Sequence, residues 1–525
     1  MRKTVKKLTA VGLTVTSVLG LVACGSSKGT TSQGTSENKE VTKPDTFTVM
    51  CDGTVVTETN GAEAFYKQLN EATGLDIKWT RPDHASYYDA VANAFNSDDT
   101  MPDVVLLSSD YYALYASNGF LWNMTDAWEH SETKNSGRLI STADNVLSAL
   151  MVNGEDGTKA MYGLSIYRGN GCCTYVKKAW LDKAGIDASK VKDVQMDFNT
   201  YYGYLKQMAQ TMGHYVISSP GFIHPEAPNT NYLPEFYQKA QYTFYKDTSG
   251  KYVDGFAQPE MKEALQRIQT AVNDGVIDKE SVNNSTSNAR EKFFSTDPST
   301  ETGVFSYWAG TWANTLKTNL ANKGLDDELI AIKPIKELGA YTERIAPCWC
   351  ITSAAKNPEG IFKYFIDKML DGGDVQMLWT HGAKGTHWDD KAETVTVQKK
   401  EDQPKTYTEG QFHYLPSIEK PDQWQTKNHI DPILSIANFT NGYVGESLIP
   451  EVARENGEFF AENSQVAVPL PMTPELSNNI GDINTARTYV IAQVALGYMT
   501  VDEGMDYYNK TVGSLSNAVL KSLNK

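Results

Sequence analysis

From residue 46 onward, apolar and polar positions fall into short alternating blocks. FTVM at 47–50 is an apolar run and predicts a buried strand, followed by a mostly polar stretch at 51–60. Over 62–73, Ala64, Phe65, Leu69 and Ala72 recur at helical spacing, and Gly74 stands where a helix stops. Residues 75–79 alternate as a strand does. Tyr88, Val91, Ala92 and Phe95 mark one face of a second helix over 87–95. Pro102-Asp103 introduces VVLL at 104–107, the continuous apolar run of a parallel strand covered on both faces. A third helix is predicted over 111–118, stopping at Gly119. Strand, helix, strand, helix, strand implies a parallel α/β sheet with right-handed crossovers. Ligands of such sheets sit beyond the carboxyl ends of the strands, which here are Cys51-Asp52-Gly53 and Ser108-Ser109-Asp110-Tyr111.

Further helices are expected over 200–211, 259–274 and 313–323. Another runs over 358–370, with Ile361, Phe362, Phe365 and Ile366 inward, and a strongly helical stretch covers 485–520. KDTSGKYVD at 246–254 reads as a polar hairpin. Its Asp247, Ser249 and Asp254 loosely suggest a calcium loop, but the spacing misses the EF-hand pattern and no bidentate Glu follows.

The start of the chain has a different pattern. Arg2, Lys3, Lys6 and Lys7 precede an apolar stretch at 8–22, too short for a comfortable bilayer span and suited to a signal-peptide core. It ends in Leu21-Val22-Ala23-Cys24-Gly25, which resembles a lipobox: small residues, then a Cys that takes lipid and becomes the N-terminus. Residues 25–45 carry no aromatic and almost no aliphatic side chain, so they are expected to form a flexible tether. Signal peptide 1–23, lipidated Cys24 with tether 24–45, then a folded body describes a chain held at the outer face of a cell membrane by lipid alone.

The 525 residues are 40% hydrophobic, 11% aromatic and 21% charged, which excludes a wholly disordered chain. A formal charge of −16, from 48 basic and 64 acidic residues, disfavours a nucleic-acid partner. Mean hydropathy is −0.43 and only one apolar run is membrane-like, which rules out a polytopic membrane protein. With Cys24 lipidated, five of the six cysteines remain. Neither Cys172-Cys173 nor Cys348-x-Cys350 has His or Cys partners at zinc spacing, so these read as buried thiols. There is no H-E-x-x-H, no G-x-S-x-G and no Walker A loop, and nothing calls for a metal or other cofactor.

An ordered series of motifs carries a family resemblance. After the first strand–helix–strand come Met101-Pro102-Asp103-Val104-Val105 and Asn118-Gly119-Phe120-Leu121-Trp122-Asn123-Met124-Thr125-Asp126. Met161-Tyr162-Gly163-Leu164 and the run from Tyr175 to Ile186 follow, then Gly303-Val304-Phe305 with Trp308 and Trp312. Asn357-Pro358-Glu359-Gly360 and Gly382-Ala383-Lys384-Gly385-Thr386-His387-Trp388 complete it. In this the chain resembles bacterial extracellular solute-binding proteins of family 1, the ABC-importer lipoproteins distantly like maltose-binding protein. One departure is that Asp197-Phe198-Asn199-Thr200-Tyr201 stands where many relatives have Pro-x-Thr-Trp.

The resemblance implies an α/β, two-lobed periplasmic-binding-protein-like fold with an interlobe cleft and discontinuous lobes. Lobe one would be 46–165 plus 348–400, and lobe two 166–347 plus 401–525. It implies a monomer that catalyses nothing, captures a small molecule or oligosaccharide by lobe closure and delivers it to ABC permease subunits. Asp52, Asp110 and Tyr111 at strand ends, Tyr167, Arg168 and Trp349 at hinges, and Trp308 and Trp312 from lobe two are the expected ligand contacts. Sugar C–H faces stack on rings while hydroxyls need polar partners, and 10 Trp, 28 Tyr and 18 Phe supply the rings. For the tryptophans, packing in the core is the competing role, and for Asp110 a helix N-cap. A surface-anchored glycoside hydrolase, which needs two flanking carboxylates, and a glycan-binding adhesin are the alternative functions.

Overall fold

The computed structural model describes residues 41–53, 61–83, 86–139, 143–166, 169–223, 231–325, 327–390, 395–399, 403–407, 413–414, 451–468, 470–471 and 473–524. The first sheet has the order Cys348–Ile351, Val104–Leu107, Thr46–Met50, Asp76–Thr80. Thr46–Met50 runs parallel to both Asp76–Thr80 and Val104–Leu107, and Cys348–Ile351 closes the edge antiparallel. All four residues of Val104–Leu107 are buried, as an apolar run at the centre of a parallel sheet requires.

The helix Ala62–Thr73 buries Ala62, Phe65 and Leu69. It ends where Gly74 turns left-handed at φ 64 and its N–H reaches the Asn70 carbonyl. The next helix, Tyr87–Ala94, sits one residue off the expected face. It buries Tyr87, Val91 and Ala94, and the Tyr87 hydroxyl donates to the Leu106 carbonyl at 2.6 Å.

The second sheet is antiparallel throughout, in the order Leu329–Ala331, Cys172–Lys177, Val304–Trp308. Cys172 lies opposite Trp308, and Thr174 opposite Ser306. Helices Phe198–Met212, Pro259–Asn273, Pro474–Ala495 and Val501–Leu523 pack around the same core. Where relatives have Pro-x-Thr-Trp, Asp197 caps the first of these by accepting from the Thr200 N–H. The strongly helical stretch expected at 485–520 is made of two helices. Gly497 is left-handed at φ 77, and Thr500 with Glu503 forms a capping box that starts the second. The helical path over 358–370 is present but passes from an α-turn through a π-type segment, Phe362–Ile366, to a 3₁₀ turn.

Buried apolar residues divide into cores that are each discontinuous in sequence. One draws on 47–166 and 345–383, the others on 172–341 and 460–519. Between them, residues 164–166 and 169–170 run beside 344–349 in the opposite direction. Leu164 and Trp349 exchange backbone hydrogen bonds at 3.0 and 2.9 Å, Ser165 Oγ donates to the Ala346 carbonyl, and the Arg344 N–H donates to the Asn170 carbonyl. A Cβ on Gly169 would lie 1.4 Å from the Arg344 carbonyl oxygen, and one on Gly171 would lie 2.0 Å from that of Thr342. Only glycine allows this approach. Ser464–Val466 adds a third strand here, parallel to Tyr341–Glu343.

Candidate functional site

Two groups of half-buried rings stand at the ends of the two sheets. The first grows from the carboxyl ends of the parallel strands. Asp52 follows Thr46–Met50 by one residue beyond Cys51, and Tyr111 lies in the first turn of Ser109–Ser117, which follows Val104–Leu107. Tyr88 joins them. Its ring lies parallel to that of Tyr111, with centroids 4.0 Å apart at 8°, and its hydroxyl accepts the Ser108 N–H at 2.9 Å. Burial pushes the Tyr88 phenol up, and the neighbouring Tyr111 phenol and Asp52 carboxylate add to this against the Ser108 hydrogen bonds. Beside them Tyr66 stacks on Trp79 at 4.8 Å, with the Arg81 guanidinium 5.3 Å above Tyr66. Burial pushes the adjacent Cys51 thiol up to about 12, so it is no nucleophile near neutral pH.

The second group is built on Val304–Trp308 and the helix Thr311–Asn322 that follows it. Trp308 ends the strand and Trp312 lies in the helix's first turn, both half-buried, with Gly310 at φ 64 making the bend between them. Distant parts of the chain hold this bend. Asn456 Oδ1 accepts the Gly310 N–H at 2.7 Å and the Tyr175 hydroxyl at 2.9 Å. Asn170 Nδ2 donates to the Ala309 carbonyl. Tyr307 meets Trp312 edge-on at 5.1 Å. The Arg344 guanidinium lies 4.6 Å over Trp308, and that of Arg290 5.2 Å over Trp312. Deeper in, the fully buried Glu235 accepts the Thr174 hydroxyl at 2.7 Å and the Tyr341 hydroxyl at 3.4 Å, and burial holds its carboxyl up at about 7.

Asp52 and Tyr111 thus come together at one sheet end, and Trp308 and Trp312 at the other. Trp349 does not join either group. Its indole is 2% exposed, packed against Phe365 and Trp379, and it is a core residue rather than a ligand contact. The backbone of Asp110 lies in the same helical turn as Tyr111. Its side chain, Tyr167, Arg168 and the lipobox Cys24 lie outside the described residues. The loose calcium reading also falls: Asp247 Oδ1 accepts from Ser249 and Lys251 as a turn residue, and Asp254 is taken by Arg487, Tyr508 and Ser516. Tyr66, Trp79, Tyr88, Arg290 and Arg344, which stand in these ring groups, were not among the expected contacts. For Tyr88 the signal was present, since Tyr87, Val91 and Ala94 keep the i, i+4, i+7 spacing and leave Tyr88 beside that face.

Among the described residues, no helix is long and apolar enough to cross a membrane. No family model and no curated protein matches the chain. Solved structures do. The N-glycan transport solute binding protein NgtS from Streptococcus pneumoniae is similar at 16% identity and a TM-score of 0.57, over 91% of this chain and 98% of that one. An extracellular solute-binding protein family 1 from Alicyclobacillus acidocaldarius gives 14% and 0.56, over 91% and 100%. Maltose-bound MalE3 from T. maritima gives 15% and 0.52, over 90% and 100%. The mixed α/β body with its separate, discontinuous cores therefore has the two-lobed, cleft-forming fold of periplasmic solute-binding proteins of the maltose-binding type.

Proposed function

We propose that this chain is the membrane-anchored substrate-binding subunit of an ABC importer, and that its solute is an oligosaccharide. Lobe one comprises 46–165 plus 348–400 and lobe two 166–347 plus 401–525. The solute is clasped between them and passed to a permease without chemical change, by a monomer tethered through lipid on Cys24 at the outer membrane face. The observation that carries this reading is the pair of half-buried ring groups, Tyr88–Tyr111 and Trp308 with Trp312, each with polar neighbours at the end of a sheet. Rings of this kind stack on sugar C–H faces, and a few fixed polar groups orient the hydroxyls. The solved neighbours whose names mention N-glycan and maltose support it.

A thermal-shift screen over mono- and oligosaccharides tests the reading, because any solute specific to the folded state raises apparent stability. At least one oligosaccharide is expected to raise the melting temperature, by an amount that grows with the logarithm of its concentration, and to be recovered intact. Turnover of the glycan would replace the binding role with a hydrolase. Mass spectrometry of the membrane-extracted chain should find residue 24 N-terminal and lipidated. An intact leader or an unmodified thiol there would overturn the anchor.

A further inference from the structure

We infer that the solute carries a carboxylate, and that Arg344 and Arg290 receive it. This rests on the saccharide reading above and narrows its substrate class to acidic saccharides. Acidic residues outnumber basic ones 64 to 48 in this chain, so carboxylates are abundant partners for arginine. Arg267, Arg454 and Arg487 each reach one. Arg344 and Arg290 do not: among the described residues neither has a carboxylate within ion-pair distance, and Arg290 donates to the Ser287 hydroxyl and toward the Tyr307 phenol instead.

Both guanidinium groups are instead laid over the two tryptophans of the second ring group, Arg344 over Trp308 and Arg290 over Trp312. A guanidinium over a ring is held by the ring's quadrupole and still carries a planar fork of five N–H donors. That fork matches the two oxygens of a carboxylate. Arg344 is also placed by the backbone. Its N–H is tied to the Asn170 carbonyl, and its own carbonyl sits against Gly169, where no side chain would fit. The arginine is therefore fixed at the crossing between the cores and is exposed to solvent there. A sugar with a carboxylate at its edge offers two oxygens for the guanidinium and a C–H face for an indole. A neutral sugar leaves the guanidinium without its counter-charge.

Matched pairs test this by calorimetry on the full chain: trigalacturonate against galactotriose, and sialyllactose against lactose. Each pair compares saccharides with and without a carboxylate, and the two pairs separate a uronate from a sialate source. The acidic member of one pair is expected to bind about tenfold or more tightly than its neutral counterpart, the scale of a charge-assisted hydrogen-bonded contact. Raising the salt concentration should narrow that ratio. Arg344→Gln with Arg290→Gln should bring the ratio toward one while the melting temperature of the free protein holds, and Arg344→Lys should restore part of it. If the neutral members bind as tightly as the acidic ones, the carboxylate inference falls and the saccharide reading stands. If the double variant keeps the preference, these arginines are not the receivers. If no saccharide of either kind binds here or raises the melting temperature in the wider screen, the saccharide reading itself falls, and this inference with it.

Discussion

The two ring groups are held in different ways. Tyr88, Ser108 and Tyr111 lie within 24 positions of one another, the two tyrosines on helices that follow the parallel strands either side of Thr46–Met50, and the Ser108 N–H donates to the Tyr88 phenol beside the stack. The Trp308–Trp312 bend is fixed from far away, by Asn456 on Glu451–Glu462, by Asn170 and by Arg344. Their charges differ too: a carboxylate, Asp52, neighbours the tyrosines, while guanidinium groups cover the tryptophans. A ring group built from strand ends close in the sequence is set by local chain geometry. One assembled from remote segments depends on the whole second core and on the crossing, and it is the one that reports on the state of both.

The sharpest contrast is among tryptophans. Trp349→Ala should cost about 3–5 kcal/mol of unfolding free energy in denaturant titration, because a fully packed indole leaves a cavity. Trp308→Ala and Trp312→Ala should cost much less stability but about 1–3 kcal/mol of solute binding. A collapsed melting point in either of the latter would make it a packing residue.

Glu235 comes next. Its folded value of about 7 lies above the ordinary 4.5, chiefly from burial. The folded chain therefore keeps a proton that the unfolded chain releases. Glu235's contribution to stability is fullest below pH 4.5, falls as pH rises from 4.5 to 7, and levels off above. Glu235→Gln should remove this decline, a gain of roughly 3 kcal/mol above pH 7. An unchanged stability-versus-pH curve would overturn the assignment. The smallest effect is expected at the local group, where Tyr111→Ala removes one parallel ring contact worth about 0.5–1.5 kcal/mol. Double-mutant cycles with Tyr88→Ala would read that coupling, and a value near zero would dissolve the stack as an energetic unit.

What could be read from the chain follows the same division. The helix at 62–73 and the strand at 104–107 were legible because apolar spacing, a stop glycine and a continuous apolar run all acted locally. The second sheet was not. Its strands at 172–177, 304–308 and 329–331 are separated by whole helices, and no local pattern says which strands pair. Trp349 was misjudged because every residue of Cys348–Ile351 is buried, so alternation there has no outward side to mark. Arg344 gave no sign at all, since an exposed arginine in a polar stretch looks the same whether it meets water or an indole. The break at 496–500 was visible in Gly497 and in Thr500-x-x-Glu503, and was passed over in favour of the longer helical periodicity.

The crossing beside Gly169 has a mechanical consequence. With the Arg344 carbonyl seated where any side chain on residue 169 would be, the two antiparallel segments cannot slide past each other without forcing that oxygen over a neighbouring Cα substituent. Sliding is therefore blocked by backbone sterics, and any bending here has to carry both segments together as one ribbon in fixed register. A Gly169→Ala chain should lose this pairing before it loses either sheet. Hydrogen exchange should record this as early loss of protection at the Leu164 and Arg344 amides, while the amides of Val104–Leu107 stay protected.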